Sequence, residues 1–441
     1  MTITARRLHG PFQRALVFEE PDVTLDTQLA ECGIEVVRIP RTPSKSELLD
    51  LLGQHRPHLL FKRSRLELDA DVFDAAPDLF AVMLCCIGDD SVDKQAAADR
   101  GILVLNDPRS NGRSVAELVM AQLITGSRRI ATAWEETRDH RWVKSSSGRY
   151  EIKGKTLGIL GLGNIGKMVA RMAEGFGCDI LFYDTDEVAI AVGETMEWTA
   201  VESATELFSR SDMVTVHLSA EDGRGRGNAG VVTLEQLRAL GTERPPDSPR
   251  VLINLARGVL FSPEDLRAAV TEGCVRQAFV DVFPVEPQTG APSWENPYAD
   301  LPQVFATPHI GAATRDAQPR IAKKMARTAG RLSLRGTVED CVFAPSRLID
   351  VARSAEAPHI LAVVHSDERG TKKAVDDVIF SSGVNNLQSA HRDFARYGIA
   401  YDLSVLERPL SEVEIDSLIA EASRLTGRPD AIRAVRQVEL S

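Results

Sequence analysis

The sequence predicts an α/β protein with two parallel sheets and a C-terminal antiparallel module. Two successive series of short β-rich runs alternate with helical intervals, and a glycine turn follows the first run of the second series. From about residue 345 the order changes to βαββαβ. At 441 residues the chain is long enough for two or three domains with separate cores.

The first series contains five predicted strands, and the intervals between them can hold crossover helices. The strands are 14–19, 34–39, 58–62, 80–85 and 102–106. This alternation predicts a doubly wound, flavodoxin-like parallel sheet. A long helix is predicted to begin near Ser114, because Ser114 and Glu117 have the spacing of a capping box.

The second series contains six predicted strands. They are 156–160, 180–183, 213–217, 251–255, 278–282 and 304–306. A glycine turn after the first strand makes this a predicted Rossmann arrangement. Because the first series precedes it intact, we expect a domain of residues 111–310 inserted into one of residues 1–110 and 311–344. Two stretches, 221–230 and 241–250, are predicted to be flexible insertions.

The C-terminal residues 355–441 are predicted to form a ferredoxin-like module. The predicted order is strand 359–365, helix 370–381, strand 384–391, strand 398–404, helix 411–425 and strand 431–438. A βαββαβ order of this length is typical of that fold.

Composition limits the classes of partner. The net charge of −11 argues against a broad nucleic-acid surface, and no apolar stretch is long enough for a membrane span. The N-terminus has no apolar signal segment, so we expect a cytoplasmic protein. The six cysteines are scattered without metal-ligand or disulfide spacing, so no metal is expected.

The glycine turn has the pattern of a dinucleotide site. Gly161 permits a tight turn, Gly163 lets the backbone approach a pyrophosphate, and Gly166 lets helix and strand pack closely. Asp184 ends the next strand, where its carboxylate can accept hydrogen bonds from ribose hydroxyls and would repel a 2′-phosphate. The expected cofactor is therefore NAD.

Three further residues have the chemistry for oxidising a 2-hydroxy acid. His309 can accept the hydroxyl proton, Glu286 can hold the other ring nitrogen, and Arg257 can bind the carboxylate with two donors. Their contexts are Asn254–Gly258, Asp281–Pro287 and Thr307–Gly311. Each follows a predicted strand at the edge where doubly wound sheets bind ligands.

With these motifs, and with Cys86-Ile87-Gly88 and Ser110–Glu117, the sequence resembles the D-isomer-specific 2-hydroxyacid dehydrogenases that carry a C-terminal ACT domain. The resemblance implies that Arg257, Glu286 and His309 are catalytic. It also implies cofactor contacts from the glycine turn and from four later places in the sequence. These contacts are Asn164, Ile165, Asp184, Leu255, Ala256, Arg257, Asp281, His309, Ile310, Gly311 and Ala312.

The resemblance also implies a phosphorylated 2-hydroxy acid as substrate, with 3-phosphoglycerate, the precursor of serine, favoured. The implied substrate contacts are Arg63, Ser64, Arg65, Gly88, Asn111 and Lys144. Asp90 stands where the family has asparagine, which adds a negative charge near the expected site. Two alternatives stay open: a dehydrogenase for another 2-oxo acid such as 2-oxoglutarate, and an NAD-sensing protein without turnover.

An ACT domain implies an amino-acid effector, here serine, bound by His365, Asp367 and Asn385. Asp367 stands where that domain has asparagine, and a carboxylate would not donate to the serine carboxylate. We therefore expect weak or absent inhibition by serine. Pairing of ACT domains, together with Lys144 reaching toward a neighbouring subunit, implies a homodimer or homotetramer.

Overall fold

The computed structural model describes residues 5–222, 225–287, 294–345, 347–351 and 359–439. The chain divides into two compact units, one of Met1–Ser110 with Gln318–Ser441 and one of Asn111–Ala317. Among the described residues, no helix has both the length and the apolar character needed to cross a membrane.

The first unit begins with a short strand, β1 (Arg6–His9), and continues into a five-stranded parallel sheet. The sheet contains β2 (Arg14–Phe18), β3 (Glu35–Ile39), β4 (Leu59–Lys62), β5 (Ala81–Leu84) and β6 (Leu103–Asn106). Its helices are α1 (Thr24–Glu31), α2 (Lys45–His55), α3 (Ala70–Asp74) and α4 (Lys94–Asp99). The order β3-β2-β4-β5-β6 is flavodoxin-like, which confirms the prediction.

The second unit is built around a seven-stranded parallel sheet. Its strands are β7 (Thr156–Leu160), β8 (Asp179–Tyr183), β9 (Thr199–Ala200), β10 (Met213–Val216), β11 (Val251–Asn254), β12 (Gln277–Val280) and β13 (Val304–Ala306). Its helices are α5 (Gly112–Arg128), α6 (Ile130–Arg138), α7 (Asn164–Gly175), α8 (Glu187–Thr195), α9 (Ala204–Ser209), α10 (Leu234–Ala239) and α11 (Pro263–Thr271). The order β9-β8-β7-β10-β11-β12-β13 confirms the Rossmann prediction.

Helix α5 begins earlier than predicted, and the predicted capping box at Ser114 is wrong. Asn111 is the N-cap residue, so Ser114 lies within the first turn. Its hydroxyl lies 2.8 Å from that of Thr314, and Glu117 accepts a hydrogen bond from Arg113 at 2.5 Å. A serine and a glutamate three positions apart can also lie inside a helix, so their spacing alone does not fix where the helix starts.

Residues 241–250 are held in place, and the prediction of a flexible insertion there is wrong. The Arg244 guanidinium lies 3.0 Å from the buried carboxylate of Asp212. Arg276 donates to the carbonyl oxygens of Pro246 at 2.7 Å and Ser248 at 3.0 Å. In the other stretch, 221–230, residues 223–224 lie outside the described part of the chain.

The chain returns to the first unit through α12 (Ala317–Arg335) and the antiparallel pair β14 (Val338–Glu339) and β15 (Leu348–Ile349). The remaining elements are β16 (His359–Ser366), α13 (Thr371–Ser381), β17 (Asn386–Phe394), β18 (Ile399–Leu406), α14 (Glu412–Thr426) and β19 (Ile432–Glu439). Their sheet has the order β1-β19-β16-β18-β17. It is a ferredoxin-like sheet with one additional strand at its edge.

The additional strand is β1, which was not predicted. It pairs in parallel with β19, with Arg6 opposite Ala434 and His9 opposite Gln437. From the same strand β19, the buried Arg436 donates to the carbonyl oxygen of Leu332, at the end of α12, at 2.7 Å. Both ends of the described chain therefore contribute to one sheet.

Candidate functional site

Arg257, Glu286 and His309 lie on loops that follow three adjacent strands of the second unit. These strands, β11, β12 and β13, are parallel and hydrogen-bonded in that order. The carboxyl ends of adjacent parallel strands meet at one edge of the sheet, so the three loops emerge together.

Glu286 and His309 form a direct pair. His309 Nδ1 lies 2.7 Å from Glu286 Oε2, and Glu286 Oε1 accepts a hydrogen bond from the Phe283 amide at 3.1 Å. The hydrogen bond to Glu286 raises the pKa of His309 against the effect of burial. Burial acts to raise the pKa of Glu286, but the bond to His309 and nearby charges lower it overall. Because Glu286 holds Nδ1, Nε2 is the nitrogen left to exchange a proton with a substrate.

The His309 loop is held by Asp281, at the end of β12. The fully buried Asp281 carboxylate accepts from Thr307 Oγ1 at 2.5 Å, from the Ile310 amide at 2.9 Å and from the Gly311 amide at 2.7 Å. His309 has a φ of 53°, in the left-handed region that non-glycine residues seldom adopt. This network stabilises that conformation. Thr307 was not predicted as a site residue; its position two residues before His309 is the only signal in the sequence.

The Arg257 loop is braced by Asn254 and packs against the Glu286 loop. The Asn254 side chain donates to the Arg257 carbonyl at 3.0 Å and accepts from the Ala256 amide at 3.0 Å. A Cβ at Gly258 would lie 2.0 Å from the carbonyl carbon of Phe283. Only glycine permits this approach, which sets the spacing of the two loops. Sequence reasoning did not assign a role to Asn254.

The three glycines of the turn after β7 have different surroundings. Gly161 has a φ of 93°, and a Cβ there would lie 2.8 Å from the His217 carbonyl oxygen. A Cβ at Gly166 would lie 2.2 Å from the Gly161 oxygen. A Cβ at Gly163 would meet nothing within 4 Å. Gly161 and Gly166 are therefore required by the fold, whereas Gly163 borders open space at the start of α7, where a dinucleotide pyrophosphate fits.

Asp184 lies beside this turn. Its carboxylate accepts from the Leu162 amide at 2.7 Å and from the Asp186 amide at 2.9 Å. A carboxylate has about four lone pairs, so two remain for ribose hydroxyls. The residues present therefore fit a dinucleotide with unmodified ribose hydroxyls.

In the first unit, Arg63, Ser64 and Arg65 directly follow β4. The Arg63 amide donates to the carboxylate of Glu19 at 2.8 Å, and Glu19 is itself buried. The preceding residue, Lys62, is fully buried, donates to Ser91, and has its pKa lowered by burial. Sequence reasoning did not single out Lys62, although a lysine in an apolar strand was a visible signal.

The other predicted substrate residues have varied surroundings. The Gly88 loop is fixed by Asn106, whose side chain donates to the Ile87 carbonyl at 2.6 Å. Asn111 is buried at the start of α5, and Lys144 lies in the exposed segment after α6. Asp90 is exposed at the end of the Gly88 loop.

The predicted effector residues are not brought together within one chain. His365 is buried near the end of β16, with both ring nitrogens within hydrogen-bonding distance of oxygen atoms. Asp367 follows it, and its amide donates to Gly398 at 3.2 Å. Asn385 precedes β17 and donates to the carboxylate of Glu407. Gly398 directly precedes β18 and Glu407 directly follows it, so Asp367 and Asn385 lie near opposite ends of that strand.

The chain matches a family model described as the NAD-binding domain of D-isomer-specific 2-hydroxyacid dehydrogenases, over residues 120–311. It is 33% identical to the D-3-phosphoglycerate dehydrogenase of Haemophilus influenzae over 328 residues, covering 74% of this chain and 76% of that one. It is 32% identical to that of Escherichia coli K12 over 362 residues, covering 81% and 84%.

The fold is also similar to that of a solved 2-hydroxyacid dehydrogenase. The 2-hydroxyacid dehydrogenase of Ketogulonicigenium vulgare is 26% identical, with a TM-score of 0.59 over 78% of this chain and 99% of that one. The sheet order, the glycine turn and the paired loops agree with these likenesses. This chain belongs to the D-isomer-specific 2-hydroxyacid dehydrogenase family and is an NAD-dependent dehydrogenase.

Proposed function

We propose that this dehydrogenase oxidises D-3-phosphoglycerate to 3-phosphohydroxypyruvate, the first step of serine formation. The His309–Glu286 pair, on loops adjacent to that of Arg257, carries the proposal of catalysis. The names of the relatives that match most of the chain support the choice of substrate.

Each of the three side chains has a proposed role in the reaction. His309 Nε2 takes the proton of the substrate hydroxyl, and Glu286 stabilises the imidazolium that forms. Arg257 binds the substrate carboxylate with its planar fork of donors. NAD, when bound, would supply the acceptor for the hydride that leaves the carbon bearing this hydroxyl. Its contacts would come from the glycine turn, Asp184 and the segments around Arg257 and His309.

We assign the substrate's phosphate to Arg63 and Arg65, with Ser64, Gly88, Asn111 and Lys144 completing the contacts. The anchoring of Arg63 by the buried Glu19 supports this assignment, since a held loop loses less freedom on binding. Accordingly, residues 1–110 and 311–344 would form the substrate-binding domain, and 111–310 the NAD-binding domain.

A substrate panel tests the proposed reaction. Purified protein with NAD or NADH would be assayed on 3-phosphoglycerate, D-glycerate, 2-oxoglutarate and hydroxypyruvate. We expect kcat/KM to be highest for the phosphorylated compound. Preferred turnover of 2-oxoglutarate would replace the proposed substrate, and absence of turnover on every compound would favour an NAD-sensing protein.

The pH dependence should follow the His309–Glu286 pair. The hydrogen bond to Glu286 raises the pKa of His309, so its neutral, proton-accepting form appears only at higher pH. We expect kcat/KM for oxidation to rise through a midpoint above the usual value of about 6.5. In Glu286→Gln the midpoint should move to lower pH and the maximal rate should fall. An unchanged midpoint in the variant would remove Glu286 from this role.

Two glycine variants should separate folding from cofactor binding. Gly166→Ala places a Cβ against the Gly161 oxygen and should lower the free energy of unfolding by about 1–3 kcal/mol or more. Gly163→Ala has open space in the protein and should keep its thermal stability, while its NAD affinity falls about tenfold or more. Thermal unfolding and fluorescence titration with NADH measure these effects. Normal NADH affinity in Gly163→Ala would contradict the assignment of the pyrophosphate site.

Residues 355–441 are proposed to be an ACT-type regulatory domain, with serine as effector through His365, Asp367 and Asn385. Because Asp367 and Asn385 lie apart within one chain, a complete site of this kind would need residues of two copies. Titrating serine into the 3-phosphoglycerate assay tests the effector. We expect at most weak inhibition, because Asp367 cannot donate to a carboxylate; strong inhibition at micromolar serine would contradict this.

We propose a homodimer or homotetramer. Four apolar residues that lie close together in the sequence of the second unit are exposed: Ile130, Trp134, Trp142 and Val143. Trp142 has 87% of its surface exposed, which is costly for a large aromatic side chain unless a partner covers it. The mass of the purified protein in solution, measured by light scattering, tests this proposal.

A further inference from the structure

Three side chains with metal-binding atoms converge in the C-terminal sheet. They belong to His365 on β16, His391 on β17 and Asp402 on β18, and β18 lies between the other two strands. His365 Nε2 lies 2.8 Å from Asp402 Oδ2, and His391 Nδ1 lies 2.7 Å from Asp402 Oδ1. One ligand atom from each residue lies within 4.8 Å of the others.

Each imidazole is also held at its other nitrogen. His365 Nδ1 donates to the Ser366 carbonyl oxygen at 2.6 Å, and His391 Nε2 lies 2.9 Å from the carboxylate of Asp393. Histidines that bind metals in proteins have this arrangement, in which a carbonyl or carboxylate orients the ring and fixes its tautomer. Here both rings direct their second nitrogen at Asp402.

We propose that His365 Nε2, His391 Nδ1 and the Asp402 carboxylate bind a divalent metal ion of the zinc class. Two imidazoles and one carboxylate are a common protein ligand set for zinc, and a water molecule would fill the fourth position. A tetrahedral site separates its ligand atoms by about 3.3 Å. The two contacts to Asp402 therefore need to open by about 0.5 Å. The two ring nitrogens, which lie within 4.8 Å of each other, need to take up the same spacing, and side-chain rotations of the histidines supply both changes.

Burial favours a cation at this point, and the lysine nearby has a second partner. The side chains of His365 and Asp402 are 1% and 2% exposed, so water cannot solvate the carboxylate well. His391 is 31% exposed, which leaves a path from solvent. Lys372 lies 3.7 Å from Asp402 but also pairs with Asp376 at 2.5 Å, so its ammonium can stay with Asp376 when a metal binds.

The proposed ion is independent of the 3-phosphoglycerate reaction and uses none of its catalytic residues. The proposed metal site includes His365, which the resemblance assigns to the binding of an amino-acid effector. The expectation that no metal binds was based on the spacing of the cysteines. Such spacing does not reveal a site whose histidine and aspartate ligands come from separate strands.

Metal titration of the full chain tests the proposal. Protein stripped with a chelator would be titrated with Zn²⁺, and with Co²⁺ as a spectroscopic probe. We expect about one high-affinity equivalent per chain and the intense visible absorption of four-coordinate Co²⁺. His391→Ala and Asp402→Asn should abolish this equivalent, and Asp393→Asn should weaken Zn²⁺ binding by about 10–100-fold.

His9→Ala is the matched control. His9, on β1 of the same sheet, lies 3.2 Å from the carboxylate of Glu412 on α14. This variant therefore removes an imidazole–carboxylate pair outside the cluster and should bind metal normally. Circular dichroism of the metal-free variants confirms that they fold. Equal Zn²⁺ and Co²⁺ binding by the wild type, His391→Ala and Asp402→Asn would overturn the proposal, as would the absence of a high-affinity equivalent in the wild type.

Discussion

Replacing His309 with asparagine should lower kcat for oxidation by about 10²–10⁴-fold, the usual contribution of a general base. Asparagine tolerates the left-handed conformation at this position, where φ is 53°, so the loop should keep its shape. NADH affinity, measured by fluorescence titration, should change little, because the substitution removes a proton acceptor and retains the backbone of the loop.

His140→Asn is a suitable control for this variant. His140 is exposed in the same unit and has a φ of 60°, so the control makes the same substitution in the same backbone conformation. Its kcat should equal that of the wild type. If His309→Asn retained more than a tenth of wild-type turnover, a group other than His309 would have to accept the proton of the substrate hydroxyl.

Arg257→Ala should lower kcat/KM by about 10²–10⁴-fold, because two charge-assisted hydrogen bonds to the substrate carboxylate are lost. Arg257→Lys should fall between the wild type and the alanine variant, since lysine keeps the charge but cannot bind a carboxylate with a planar fork. Steady-state rates with 3-phosphoglycerate measure both effects.

Arg267→Ala provides the comparison for a lost arginine. Arg267 is a surface residue of the same unit paired with Asp300 at 2.6 Å, and exposed ion pairs contribute little to stability. Its kcat/KM should stay near that of the wild type. A KM for 3-phosphoglycerate that is unchanged in Arg257→Ala, with an unchanged kcat, would exclude Arg257 from substrate binding.

The fold was largely predictable because its signals are local. Apolar runs such as 251–255 bounded by turns identify parallel strands, and the glycine spacing of Gly161, Gly163 and Gly166 places the Rossmann turn. Boundaries were less predictable: helix α5 begins at Gly112, with Asn111 and not Ser114 in the N-cap position. Strand β1 was not found, since Arg6–His9 is short and polar and its partner lies at the other end of the sequence.

The site was predictable where each residue has its own sequence context. Arg257, Glu286 and His309 stand in such contexts, and the 2.7 Å contact between Glu286 and His309 matches the expected pairing. The residues that hold the site loops in place are harder to infer. Asn254 and Thr307 act through hydrogen bonds to the Arg257 carbonyl and the Asp281 carboxylate, and only the fold places these partners within reach. The cluster of His365, His391 and Asp402 has no motif at all, since its members come from three strands.

Pairing of β1 with β19 has a consequence for synthesis of the protein. Arg436 bonds to Gly10, 426 residues earlier, and the neighbouring strand β1 pairs along the same β19. At a translation rate of about 5–20 residues per second, the interval between synthesis of β1 and synthesis of β19 is on the order of tens of seconds. Until then β1 is an unpaired strand exposed to other chains, and a nascent protein truncated before β19 can never cover it.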